Sequence, residues 1–233
     1  MRSVTRPLLQ SDAHAGRGFT VIEMSMAIIV LGIAFMMTLK GADLVQTARA
    51  FMSSYTVQRY QTAIKAYETT HMALPGDDRD APKRNQRPPS IYNIAGGTVS
   101  FAGDGMINGR LYDVTNPNGE QFMAWRDLRI DGAIPGDKTM VGASAMPDNV
   151  FGGVYGIDEG NLGQVGGSIC LTRVPGRAAY MIDRYLDDGV VNKGKVVATA
   201  KWSPVEQQNH FDAPDDTPYD FEKEYIICAP LLP

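Results

Sequence analysis

Between Glu23 and Lys40 the chain carries no charge, and Met24 through Leu39 is almost entirely apolar or small. Counted from Phe19, the stretch to Leu39 is 21 residues, about 31 Å as an α-helix and enough for one membrane span. Beyond Lys40 the pattern changes instead of ending. Leu44, Ala48, Phe51, Met52 and Tyr55, then Tyr60, Ile64 and Tyr67, recur at three- and four-residue steps, with Arg49, Gln58, Arg59, Lys65 and Glu68 largely between them. No proline occurs between Phe19 and Leu74, and only Gly32 and Gly41 weaken the helix. The pattern predicts one helix from about Phe19 to about His71, ended by the turn Leu74-Pro75-Gly76-Asp77. Residues 19–39 are expected in lipid, and residues 40–72 are expected to lay an amphipathic stripe on a globular head, residues 73–233.

The head reads as short elements joined by turns. Met72 to Arg110 reads as loop, with extended pieces at Ile91–Ile94 and Thr98–Phe101. Gly119 to Leu128 reads as an amphipathic helix that buries Phe122, Trp125 and Leu128 and is capped by Asn116 or Asn118. Val150–Ile157, Ser168–Arg173, Lys195–Thr199 and Tyr225–Cys228 read as strands. A further helix starts at Pro175-Gly176, with Ala178, Ile182, Tyr185 and Leu186 on one side, and stops at Asp187-Asp188-Gly189. Pro135-Gly136-Asp137 echoes Pro75-Gly76-Asp77 as repeated turn chemistry, not as a domain repeat. A long N-terminal helix against a small antiparallel sheet with two helical insertions is an α+β architecture.

The segment before the apolar run is polar and basic, with Arg2, Arg6 and Arg17 against the single acid Asp12. That bias places the N-terminus in the cytoplasm and the bulk of the chain across the membrane. A secretory signal peptide also begins basic and then turns apolar. Against it, residues 1–18 have no apolar core of their own, and a helical pattern continues where a small-x-small cleavage site would follow. Glu23, near the start of a span, is costly there: a carboxylate at mid-depth costs about 2.5–3.5 kcal/mol, less near the interface. Such a residue calls for a partner.

These residues carry a resemblance. Gly18-Phe19-Thr20-Val21-Ile22-Glu23 resembles the processing site of type IV pilins and type II secretion pseudopilins. In that family a membrane aspartyl peptidase cuts after the glycine and methylates the new N-terminal amine. The resemblance implies that Gly18 is the last leader residue, Phe19 the methylated N-terminus and Glu23 the fifth mature residue. It further implies a pilin-like fold, assembly through the Phe19 amine paired with Glu23 of a neighbour, and three partners: the prepilin peptidase, other pilin or pseudopilin subunits, and an inner-membrane assembly platform. The implied location is the bacterial inner membrane with a periplasmic head, then a pilus or pseudopilus. Many pilins carry a proline just past the membrane half; this chain has Lys40-Gly41 there. Leu74-Pro75-Gly76-Asp77, Gly103-Asp104-Gly105, Glu120 with Trp125 and Leu128, and Ile134-Pro135-Gly136 resemble a group of minor pilin or type II secretion components. Ile182-Asp183 with Leu186-Asp187-Asp188-Gly189 fits the same group. Two other readings stay open: a filament-displayed adhesin or ligand-binding module, using residues such as Tyr92, Tyr112 and Trp202, and a single-pass anchored protein that never polymerises.

Cys170 and Cys228 are the two cysteines. In an exported head they are expected to pair if the geometry allows; two buried free thiols are the alternative. Removing residues 1–18 would leave 19 basic against 25 acidic residues, which argues against a nucleic-acid partner. The exception, Lys83-Arg84-Asn85-Gln86-Arg87, reads as a solvated, proline-flanked loop. No nucleophile-elbow, zincin or phosphate-loop motif occurs, and the three histidines His14, His71 and His210 are scattered, so catalysis is not expected. Calcium is the one cofactor worth weighing. Gly103-Asp104-Gly105-Met106-Ile107-Asn108-Gly109 and the stretch Asp212 to Asp216 with Asp220 both offer oxygens, and some pseudopilins bind calcium in a C-terminal loop. Neither segment has EF-hand spacing, and solvated Asx turns are the simpler reading of both.

Overall fold

A computed structural model describes residues 18–94, 97–99, 102–160, 162, 166–200 and 218–232. The chain divides into two compact units, Met1–Leu44 and Val45–Pro233, and helix α1 (Val21–His71) contributes to each. In the first unit the side chains of residues 21–38 are all exposed. This helix is long and apolar enough to cross a membrane by length and composition, and none of its most apolar window is buried.

In the second unit α1 presents Ala50, Ser53, Ser54, Val57, Ile64 and Tyr67 to the core. The expected stripe is therefore right in its later members, Tyr60, Ile64 and Tyr67, and wrong in its earlier ones. Leu44, Phe51, Met52 and Tyr55 are exposed, as is Ala48. Small residues, Ala50, Ser53 and Ser54, occupy the inward positions there instead. Tyr60, partly buried, packs against the core, its ring 4.9 Å from Trp125 and 5.2 Å from Tyr155 in edge-on contacts. The helix ends at Met72, which takes a left-handed conformation (φ 55°), just ahead of the predicted turn.

The sheet has four strands in the order β3-β4-β6-β5, every pairing antiparallel. Its members are β3 (Tyr155–Asp158), β4 (Ser168–Pro175), β5 (Val197–Thr199) and β6 (Glu224–Pro230). A separate hairpin pairs β1 (Tyr92–Ile94) with β2 (Gly97–Val99). Helix α4 (Gly176–Leu186) buries Ala178 and Ile182 as expected. Tyr185, assigned to the same side, is half exposed, its ring 4.6 Å from the Phe51 ring. The α+β architecture, a long N-terminal helix with a small antiparallel sheet, matches the sequence expectation.

Several local expectations need correction. Val150–Ile157 is not one strand: Val150 to Gly153 forms a turn closed by Asn149, whose side-chain oxygen accepts from the Phe151 and Gly153 N–H groups. Only the end of the segment pairs, as β3. Residues 72–110 are not loop throughout, because α2 (Ala81–Asn85) forms there. Helix α3 (Glu120–Ile130) has Gly119 at its N-cap, and neither asparagine caps it with a side chain. Asn116 instead accepts from the Asn118 N–H and donates to the Ile91 carbonyl.

Helix α3 is also buried on nearly every side, including Glu120, Gln121, Asp127 and Arg129. Asp127 is covered by the Leu74–Ser90 connection, which approaches the helix closely through Gly76, while Asn108 meets Glu120 and the Arg110 and Asp113 carbonyls meet Gln121. At φ 85°, a Cβ on Gly76 would lie 2.4 Å from the Glu120 carbonyl oxygen. The basic segment read as solvated belongs to this cover. Lys83 and Arg84 are exposed, Arg84 also pairing with Asp78, whereas Arg87 is fully buried against Asp127, so the solvated reading holds for the first two and fails for Arg87.

Candidate functional site

The N-terminal junction holds three of the residues singled out from sequence. Gly18 and Phe19 precede α1, and the Phe19 side chain is 80% exposed. Glu23 lies in the first turn of the helix. Its Oε2 accepts from the Thr20 N–H and the Thr20 hydroxyl, each at 2.9 Å, while the Glu23 N–H donates to Thr20 Oγ1 at 3.3 Å. Thr20 and Glu23 thus satisfy each other's backbone donors reciprocally, the capping-box arrangement written in the spacing Thr-x-x-Glu. That signal was present in the sequence and was missed there. It gives Glu23 a local function that needs no neighbour. Residues 1–17 of the expected leader, His14 among them, lie outside the described residues.

Cys170 and Cys228 form a disulfide. They are directly opposite one another on β4 and β6, among Leu111, Leu162, Val197 and Ile226 in a small apolar cluster. The bridge ties the C-terminal strand to the middle of the sheet, and the free-thiol alternative is excluded.

The loop of residues 103–109 meets α3 through its polar groups. Asn108 donates its N–H (2.9 Å) and its Nδ2 (3.2 Å) to Glu120 Oε2, and Nδ2 also reaches Asp104 Oδ2 at 2.8 Å. Asp77, buried in the turn before α2, accepts from the N–H groups of Gly103, Asp104 and Gly105. Burial pushes the Glu120 carboxyl up to about 7; the Asn108 donors oppose this, and the Asp77 and Asp104 carboxylates add to it. Burial likewise raises Asp77, against its three N–H donors. The two turns that echo each other in sequence part company here: Asp77 is buried and ties a distant loop, whereas Asp137 is exposed and accepts from the Thr139 N–H and hydroxyl two residues on.

A second acidic group was not singled out as a cation candidate from sequence. Oxygens of Asp183, Asp187 and Asp188 lie within 4.8 Å of one another. Each carboxylate already accepts hydrogen bonds: Asp183 from Gly189 N–H and Tyr219 O–H, Asp187 from Lys195 and Val196 N–H, and Asp188 from Val190 N–H. Of the C-terminal acidic stretch, Asp212, Asp215 and Asp216 lie outside the described residues. Asp220 is paired with Lys223 and accepts from the Glu222 N–H.

The remaining candidates scatter. His71 Nε2 is 3.0 Å from Asp131 Oδ1, while His210 and Trp202 lie outside the described residues. Tyr92 is in β1. Tyr112 packs against the disulfide cluster and is not a free surface aromatic. No known protein family, curated protein or solved structure matches the chain.

Proposed function

We propose that the chain is a pilin-like structural subunit, a minor component of a type IV pilus or a type II secretion pseudopilus. The observation that carries this reading is the junction Gly18-Phe19 with Glu23 fifth in the count from Phe19, in the first turn of a helix whose apolar side chains are all exposed over residues 21–38. Exposed apolar surface on that scale needs lipid or other chains to cover it. The prepilin peptidase would cut after Gly18 and methylate Phe19, in the inner membrane, with the head in the periplasm. The new amine of one subunit would then pair with Glu23 of another, two poorly solvated charges neutralised together, which favours one stagger. Met52 and Tyr55, exposed on α1, would offer further apolar surface to neighbours.

The Thr20–Glu23 capping box favours a second reading: an anchored single-pass protein in which Glu23 serves its own helix and nothing polymerises. Intact mass and N-terminal peptide analysis of the protein from its native membrane or filament fraction tests the first step. A chain beginning at N-methyl-Phe19 is the expected result. A chain still beginning at Met1, in a host with active prepilin peptidase, overturns the proposal.

A further inference from the structure

We infer that Asp104, Asn108 and Glu120 form a calcium site, with the Glu120 carboxyl as its buried end. The reason lies in one atom. Glu120 is fully buried, its Oε2 takes both Asn108 donors, and among the described residues its Oε1 has no hydrogen-bond partner. Neither protonation state repairs this. An ionised carboxyl leaves a buried charge and open lone pairs on Oε1; a neutral one leaves either a hydroxyl with nothing to donate to or a bare acceptor. Leaving such a group unmatched costs roughly 1–3 kcal/mol, more when it is charged.

The surroundings say what would match it. Asp104 Oδ2 shares the Asn108 Nδ2 donor with Glu120 Oε2, so a neutral amide nitrogen now stands between two carboxylates. Turning that amide over presents Oδ1 to the same point beside Asp104 Oδ2 and Glu120 Oε2, and an ion held there by both oxygens of the Glu120 carboxylate engages Oε1 as well. The buried carboxylate of Asp77 holds the loop N–H groups beneath and adds negative charge close by. Among the described residues, no lysine, arginine or histidine pairs with Asp77, Asp104 or Glu120. An all-oxygen set with net negative charge and irregular spacing suits Ca²⁺, which accepts flexible geometry and completes its shell with water and carbonyls. Mg²⁺ demands a near-ideal octahedron and fits such a set less well.

The site does not depend on the pilin-like reading. The test uses the full chain in detergent micelles, followed by thermal unfolding in CaCl₂, MgCl₂ or EGTA and by calorimetric titration with Ca²⁺. The unfolding temperature is expected to rise in CaCl₂ over EGTA, with a smaller rise in MgCl₂. Asp104→Asn, at an exposed side chain, is expected to fold and to weaken Ca²⁺ binding on the order of tenfold or more. Glu120→Gln is expected to abolish the response; if it fails to fold, Asp104→Asn decides alone. Equal unfolding temperatures in CaCl₂ and EGTA with no titration heat would overturn the inference. So would a response unchanged in Asp104→Asn but lost in Asp187→Asn, which would move the ion to the other acidic group.

Discussion

The Arg87 guanidinium lies along both carboxylate oxygens of Asp127, Nε to Oδ1 at 2.6 Å and Nη2 to Oδ2 at 2.7 Å, with both side chains fully buried. Asp127 also accepts from the Gly76 N–H and Asn85 Nδ2, and Arg87 Nη1 reaches Ser90 and the Pro88 carbonyl. One carboxylate thus fastens the whole Leu74–Ser90 connection to α3. Arg87→Met leaves a buried charge without its cation and is expected to cost about 3–5 kcal/mol in urea unfolding. Arg87 with Asp127 replaced together, as Met and Leu, is expected to recover much of that loss. Arg87→Lys should remain well below wild type, because an ammonium cannot make two parallel bonds. A loss under about 1 kcal/mol for Arg87→Met, the range of exposed pairs, would contradict the burial described.

The disulfide predicts a second outcome. Cys170 and Cys228 are 58 residues apart, and closing a loop of that size contributes about 4 kcal/mol in the chain-entropy model. Paired replacement by serine should lower stability by up to that amount, as should full reduction. Because β6 is held by β4 and β5 on either side, the sheet is expected to persist at low temperature. Loss of β-structure by circular dichroism on reduction at 10 °C would show that the bridge, not strand pairing, holds the C-terminus.

How far these relationships could be read from sequence differs by residue. The apolar run and strands β4 and β6 were legible because one-dimensional periodicity encodes them. The basic cluster at 83–87 misled because the partner of Arg87 is 40 residues away, and composition records charge without recording what neutralises it. The stripe on α1 was misphased for a related reason. Ser53 and Ser54 are buried but carry no hydrophobic signal, while Phe51 and Met52 carry a strong one and are exposed. Glu120 was noticed only as a motif position, since its burial depends on the turn around Gly76 folding over α3.

Asp183 makes a pH prediction. Burial raises its carboxyl from 3.8 to about 6, against the Tyr219 and Gly189 donors, and the nearby Asp187 and Asp188 carboxylates add to the rise. With the folded value above the unfolded one, its stabilising contribution is complete below about pH 4 and is lost as pH rises through about 6. Asp183→Asn keeps a side chain able to bond Tyr219 and Gly189 without ionising. It should be more stable than wild type at pH 7, by about 3 kcal/mol, and should flatten the decline between pH 4 and 6. Parallel stability curves for the two proteins across that range would refute the assignment.

The two readings of Glu23 separate at single atoms. Within the capping box Glu23 acts through an acceptor oxygen, and glutamine supplies one; within a filament it acts through its charge, which glutamine lacks. Glu23→Gln is therefore expected to leave processing after Gly18 intact and the helix capped, yet to impair incorporation into filaments. Thr20→Val removes the hydroxyl that donates to Oε2 and accepts from the Glu23 N–H, and keeps the charge. It should cost α1 about 1 kcal/mol at its N-terminus while filaments still form. The measurement is the amount of each variant in sheared filament fractions against the amount processed in the membrane. If Glu23→Gln incorporates normally and Thr20→Val does not, Glu23 is a helix cap and the charge-pairing mechanism is wrong.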